Sequence, residues 1–283
     1  MKRPALVEWG VVLAVAVLVL AAGLWFWWPQ HAAGSAQAPT AAADPAPAPA
    51  SVPAAGQAAA EPASAPAEVA LPEPAPQQPA LVEADVGPAL TRLLGVQSAR
   101  QWLRPDGFVR RFVATVGNLG RAHAPALSWP VDPTPGRLQV VQQEGRQFID
   151  PDNAQRYVPF VLALEAVDSQ TAAALYTRLL PLLQSAHEEL GYPRQRFHTR
   201  LMQLIDHLLA APSAPERIEV RLTEVRGPIP SQRPWVRYEF ADPALEAASA
   251  GHKLMVRVGA VNQRRLKAKL VELRAALQQN TPR

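Results

Sequence analysis

Apolar and polar positions change rhythm twice along this chain. Residues 10–28 are apolar without a break, as "GVVLAVAVLVLAAGLWFWW" carries no charge. Residues 29–80 keep no period at all; Ala and Pro dominate, with scattered acids, as in "ADPAPAPASVPAAGQAAAEP". From about Leu81 a helical period sets in, with apolar residues recurring at three- and four-residue spacings, and it holds with short interruptions to the end.

Within the periodic part, "VGPALTRLLG" predicts a short helix and "RPDGFVRRFVATVGNLG" a stronger one. In the second, Phe108, Val109, Phe112, Val113, Val116 and Leu119 fall on one face, and Gly120 supplies a stop. After a Pro-rich loop, "RLQVVQQEGRQFID" alternates like a hairpin around Glu144-Gly145. Asp150-Pro151 predicts the cap of a helix carrying "RYVPFVLALEAV". Asp168 caps the next, "SQTAAALYTRLLPLLQSAHEEL", inside which Pro181 predicts a kink. Gly191 and Pro193 end it, and "RQRFHTRLMQLIDHLLAA" runs on to Pro212. "RIEVRLTEV" and "WVRYEF" alternate with the period of strands. Asp242-Pro243 opens a helix over "ALEAASAGHKLMVRV", Gly259 breaks it, and the last helix aligns Leu266, Leu270, Leu273 and Leu277. The fold class expected is therefore mainly α, with one or two small β-hairpins, in a domain over 81–283. That length is enough to bury a sizeable core.

The apolar run predicts a transmembrane helix at 10–28. At 1.5 Å per residue it reaches roughly 28 Å, close to the hydrocarbon thickness of a bilayer. Trp9 on one side and Trp25, Trp27 and Trp28 on the other suit the two headgroup boundaries, where indole is favoured. Lys2 and Arg3 precede the span and no basic residue follows until Arg92, so residues 1–9 are expected in the cytoplasm and the rest across the membrane. For a bacterial cell that places the domain in the periplasm, held by an inner-membrane signal anchor. A cleaved signal peptide is the rival reading, with "HAAGSA" as its cleavage site, but its apolar core is usually only about 7–15 residues. Residues 29–80 hold no aromatic side chain and cannot bury enough apolar surface to offset the entropy of ordering. They are expected to be a disordered Ala/Pro-rich linker, on the order of 160 Å long when extended and ~40 Å as a coil.

Composition narrows the chemistry. The absence of cysteine removes disulfides, thiolate nucleophiles and thiolate metal sites. Of 28 basic and 24 acidic residues, 26 and 17 fall in 86–283, a net of +9 for the domain. Much of the excess lies after Gly251, where Lys253, Arg257, Arg264, Arg265, Lys267 and Lys269 form a candidate surface for an anionic partner or lipid. A solvated helix face explains the same run. Nucleic acid is not expected as a partner on the far side of a membrane.

The densest cluster of candidate chemistry is "QSAHEELGYPRQRFHTRLMQLIDHLL", Gln184–Leu209, with three of the six histidines. On a helical projection Leu175, Leu179, Leu182, Leu183, Ala186 and Leu190 share an arc, and His187 lies at its edge. In the next helix Phe197, Leu201, Leu204, Ile205 and Leu208 share an arc that includes His198. Asp206 and His207 fall outside it, about 100° apart, and do not form a natural dyad. His187 and His198 are thus the one pair placed to face each other across the turn, as candidate metal or catalytic residues. Yet a catalytic metal takes about three protein ligands and a structural one four, and no third is evident. Two half-buried, hydrogen-bonded histidines account for the pattern equally. "HEELG" lacks the second histidine of a zincin helix, and "DPDNAQ" lacks the glycine a calcium loop needs at its sixth position. GxSxG, SxxK, GxGxxG and P-loop patterns are absent, so no cofactor and no catalytic residue is predicted.

The runs "RYVPFVLALEAVD", "LYTRLLPLLQSAHEELGYP", "FHTRLMQLIDHLL" and "YEFADPALEAASAGHKLMVRVGAVNQRRLKAKL" resemble a bacterial family catalogued as domain of unknown function 3014. The resemblance covers about 86–278 and extends to the layout of one span, an Ala/Pro-rich tether and this domain. It implies no activity, cofactor or catalytic residue. The expectation is a membrane-anchored envelope protein that binds or scaffolds another envelope protein or polymer. The alternative is an envelope hydrolase or metal-dependent enzyme using His187 and His198.

Overall fold

The computed structural model describes residues 79–223 and 237–280. The expected span, its four tryptophans and the linker lie outside the described residues. The described chain is mainly helical. Helix α1 (Glu83–Trp102) bends at Gly95 and runs further than the short helix predicted, because Ala99 and Trp102 extend its buried side. Trp102 meets the edge of Phe160 at 5.2 Å between ring centroids. Helix α2 (Phe108–Leu119) buries all six residues of its predicted apolar face.

A 3₁₀ turn over Pro151–Tyr157 leads into α3 (Val158–Glu165), and the Asp150 carboxylate accepts from the Asp152 amide at 2.8 Å, as its position predicts. Helix α4 (Ser169–Glu189) starts on Asp168, which accepts from the Thr171 amide at 2.8 Å. It continues through Pro181, which lies exposed on its solvent side. Helix α5 is Phe197–Leu209. After the strands come α6 (Pro243–Ala247), α7 (Ala250–Arg257) and α8 (Ala260–Gln279). The sequence suggested one helix where α6 and α7 stand. Ala248 is extended there, and the Ser249 hydroxyl accepts from the His252 amide as a second N-cap, which restarts the helix.

Helices α4 and α8 form the centre. Helix α4 packs on α1, α2, α5 and α8, while α8 also packs on α3 and α5. The core between them holds Phe112, Tyr176, Leu183, Phe197 and Ile205, all fully enclosed. Phe112 and Phe197 meet edge to face at 5.5 Å, an arrangement the aromatic quadrupole favours.

The strands form one sheet. β1 (Val140–Gln143), β2 (Arg146–Ile149), β3 (Glu219–Leu222) and β4 (Tyr238–Phe240) pair antiparallel in that order. β1 and β2 make the predicted hairpin around Glu144-Gly145. The pairing of Phe148 with Glu219 joins it to β3, merging the two expected hairpins. The sheet has its own small core of Ile149, Ile218, Val220, Phe240 and Val256, the last supplied by α7. Among the described residues no single helix is long and apolar enough to cross a membrane; 151–165 and 169–189 pass only together, across a 79° bend.

Candidate functional site

The turn between α4 and α5 is built from its own sequence. Gly191 takes a φ of 98°, which a residue with a Cβ adopts only with strain, and its amide donates to the Glu188 carbonyl at 2.9 Å. Gln184 ties the hairpin together, since its Oε1 accepts from the Phe197 amide at 2.8 Å and its Nε2 donates to the Gln195 carbonyl and to Glu188. Glu188 and Glu189 are exposed.

Both candidate histidines of this hairpin are buried, but they serve different neighbours. His198 shares a 3.1 Å hydrogen bond with the Tyr176 hydroxyl through Nδ1. Burial holds its pKa below the ordinary histidine value and raises that of Tyr176, so at neutral pH the pair is uncharged. His187 instead stacks on Tyr192, with centroids 4.9 Å apart and rings 13° from parallel, and meets the edge of Phe197. Its Nε2 is buried and has no hydrogen-bond partner among the described residues. Burial first and the Arg200 guanidinium second hold its pKa down, against an opposing contribution from Glu188. Among the described residues, no group of three or more His, Asp or Glu side chains is arranged to hold a metal.

Asp206 and His207 part company, as predicted. Asp206 takes an ion pair from Arg274 at 2.6 Å. His207 stacks on His252 with centroids 4.0 Å apart, and its Nε2 shares a 2.7 Å hydrogen bond with the Ser249 hydroxyl. His252 donates from Nε2 to the His207 carbonyl at 2.7 Å, which fixes its tautomer.

The basic run after Gly251 looks different in three dimensions. Lys253 is buried and donates to the Glu246 carboxylate at 3.1 Å and to its carbonyl. Arg257 is buried with its guanidinium over the Phe240 ring at 4.5 Å, and burial lowers its pKa to about 9. Arg265 pairs with Glu165 at 2.9 Å, Lys267 donates to the Ala211 carbonyl, and Lys269 to the Val167 carbonyl and Glu272. Arg264 alone of the six is exposed. The candidate anionic-surface patch is therefore mostly a set of internal ties. On α8, which is central, the long basic stems lie along the core and the heads of Lys267 and Lys269 reach carbonyls, while Lys253 and Arg257 of α7 are enclosed against Glu246 and Phe240.

Two guanidiniums with no ion-pair partner among the described residues converge elsewhere, in a cavity of about 440 Å³ between the second half of α2 and the α4–α5 hairpin. Its basic groups are Arg121, Arg200 and His187. Tyr192, Gln195 and Gln203 add neutral polar atoms, Val113 and Leu190 an apolar wall, and no carboxylate lines it. Each guanidinium is positioned by a neutral acceptor. Arg121 donates to the Tyr192 hydroxyl at 2.6 Å, and Arg200 to the Gly117 carbonyl at 3.1 Å. Sequence reading singles out neither arginine. Arg121 lies past the end of α2 in a loop, and only the fold brings it over the hairpin. Arg200 gives a faint signal, since it falls about 60° from Phe197 on a helical projection, at the flank of the buried arc.

No curated protein and no solved structure matches this chain. The family model described as a protein of unknown function, DUF3014, matches residues 108–274, more than half of the sequence, and the chain belongs to that family.

Proposed function

We propose that this protein is a bacterial inner-membrane protein with a single span at 10–28, whose helical domain is carried in the periplasm on the linker 29–80. The domain acts as a non-enzymatic binding module of the envelope, and its binding place is the cavity beside the α4–α5 turn. The observation that carries this reading is the convergence of Arg121 and Arg200 on a cavity with no acidic group in its lining. Guanidiniums held in place and without a counter-ion among the described residues are set up to recognise an anionic group, since an internal carboxylate would otherwise lower their energy. The apolar run, its tryptophan borders and the Lys2/Arg3 flank support the topology. The hydrolytic alternative needs His187 and His198 to act on one centre. Their separate partners, Tyr192 and Tyr176, give it no support.

The test is site-specific photo-crosslinking in cells. A photoreactive residue replacing the exposed Gln203 at the cavity is expected to give a discrete adduct, whereas one replacing the exposed Gln142 on β1 is not. Protease added to spheroplasts is expected to digest the domain. An intact domain under those conditions, or no adduct at Gln203, counts against the reading.

A further inference from the structure

We propose that the cavity is an oxyanion site, built to hold a phosphate or carboxylate group borne on a compact, partly apolar body. The proposal rests on the reading of the cavity as the binding place and adds the chemistry of what enters it. Three features point to an oxyanion. First, Arg121 and Arg200 come from different elements, a loop after α2 and the first turn of α5, and meet in one cavity with no acidic lining. Planar guanidiniums fit the oxygens of carboxylate and phosphate better than any neutral ligand. On helix α8, Arg265, Lys269 and Arg274 each have an acid within 2.9 Å, whereas neither cavity arginine has an ion pair among the described residues.

Second, the arginines are pre-positioned. Arg121 is held by the Tyr192 hydroxyl and Arg200 by the Gly117 carbonyl, each leaving further N–H groups to donate. Fixing them before binding reduces the entropy lost when a ligand arrives. Third, His187 forms part of the same lining, and its Nε2 has no hydrogen-bond partner among the described residues, which leaves the ring a hydrogen-bonding position unused. Val113 and Leu190 give the rest of the ligand an apolar wall. The volume lies in the range of small-molecule sites, large enough for an end group of a polymer or a whole small metabolite.

The experiment is calorimetric titration of the full-length chain in neutral detergent, at constant ionic strength, with inorganic phosphate in one arm and succinate in the other. Saturable binding of either supports the site, and the arm that binds names the source. Arg121→Met and Arg200→Met are each expected to weaken binding about tenfold or more, the scale of one lost charge-assisted contact. Arg264→Met removes the same charge from an exposed place on α8 and is expected to leave binding unchanged. Because Arg200→Met also removes the tie to Gly117, the exposed Arg121 serves as the independent check on folding. Binding of neither anion overturns the proposal, and so does equal weakening by all three variants, which reports bulk charge. A Gln203 adduct in cells without anion binding would sink the ligand class and leave the binding place standing. Anion binding that depends on Arg121 and Arg200, without an adduct, would keep the oxyanion site and sink the reading of the domain as an envelope binding module.

Discussion

His187 shows how a single residue can be read in two ways until its neighbours are known. Its position at the edge of an apolar arc is consistent with a ligand to a metal or with a packed core histidine. The structure makes it a stacked ring with one idle nitrogen. Because burial and Arg200 hold its pKa below 6.5, it is neutral at pH 7, and a negative charge settling nearby raises its affinity for a proton. Sulfate, which does not itself titrate in this range, is therefore expected to bind more tightly at about pH 5.5 than at about pH 7.5. His187→Gln is expected to flatten that dependence, and titration calorimetry at the two pH values checks it. A second residue-scale prediction concerns Gly251. A Cβ there would stand 2.7 Å from a Leu208 methyl and 3.0 Å from the Leu119 carbonyl oxygen, so α7 lies against α2 and α5 at a distance only glycine permits. Gly251→Ala is expected to destabilise the fold by about 1–3 kcal/mol, as overpacking does, measured by urea denaturation.

At the scale of elements, hydrophobic period identified what each segment is but not what it joins. The faces of α2, α4, α5 and α8 were legible because a buried stripe repeats at the helical spacing. The merging of two hairpins was not, because Phe148 and Glu219 are far apart in sequence and carry no local mark of their pairing. The depth of the basic run was not legible for a related reason: a helical wheel orders residues around one axis and says nothing about depth, so the burial of Lys253 and Arg257 left no mark in the sequence. Glu246 is the key to that region, accepting from Lys253 and, through its other oxygen, from the Phe240 amide of β4. Glu246→Gln removes the carboxylate 3.1 Å from a buried ammonium and is expected to cost about 2–3 kcal/mol. The double variant with Lys253→Met is expected to be more stable than that single variant, a non-additivity that paired denaturation curves would show. The contact between α5 and α7 carries a pH dependence. His207 is held below 6.5 by burial first, then by His252 and Arg200, and His187 and His198 are lowered too. The folded state therefore binds fewer protons than the unfolded chain below that pH. Stability is present in full above about pH 6.5 and declines as pH falls, levelling off once the folded state is protonated as well. The urea midpoint is expected to drop between about pH 7.5 and pH 5, and His207→Gln to remove part of that slope.

For the whole molecule, the family to which the domain belongs was legible in the sequence, while the expected span and linker lie outside the described residues. It could not give the cavity, because Arg121, Arg200 and His187 converge only when the loop after α2 is folded over the hairpin. One contact at the start of the described chain bears on how the parts work together. The Leu81 amide donates to the Arg178 carbonyl, and the Arg178 guanidinium donates back to the Pro79 carbonyl at 3.1 Å. This two-bond clasp fastens the incoming chain to the middle of α4. His187 lies nine residues further along the same helix, roughly 13 Å away. If the residues before Pro79 are the tether proposed above, tension along them enters the fold through the helix that lines the cavity, and about two and a half turns of α-helix separate that pull from a molecule held there.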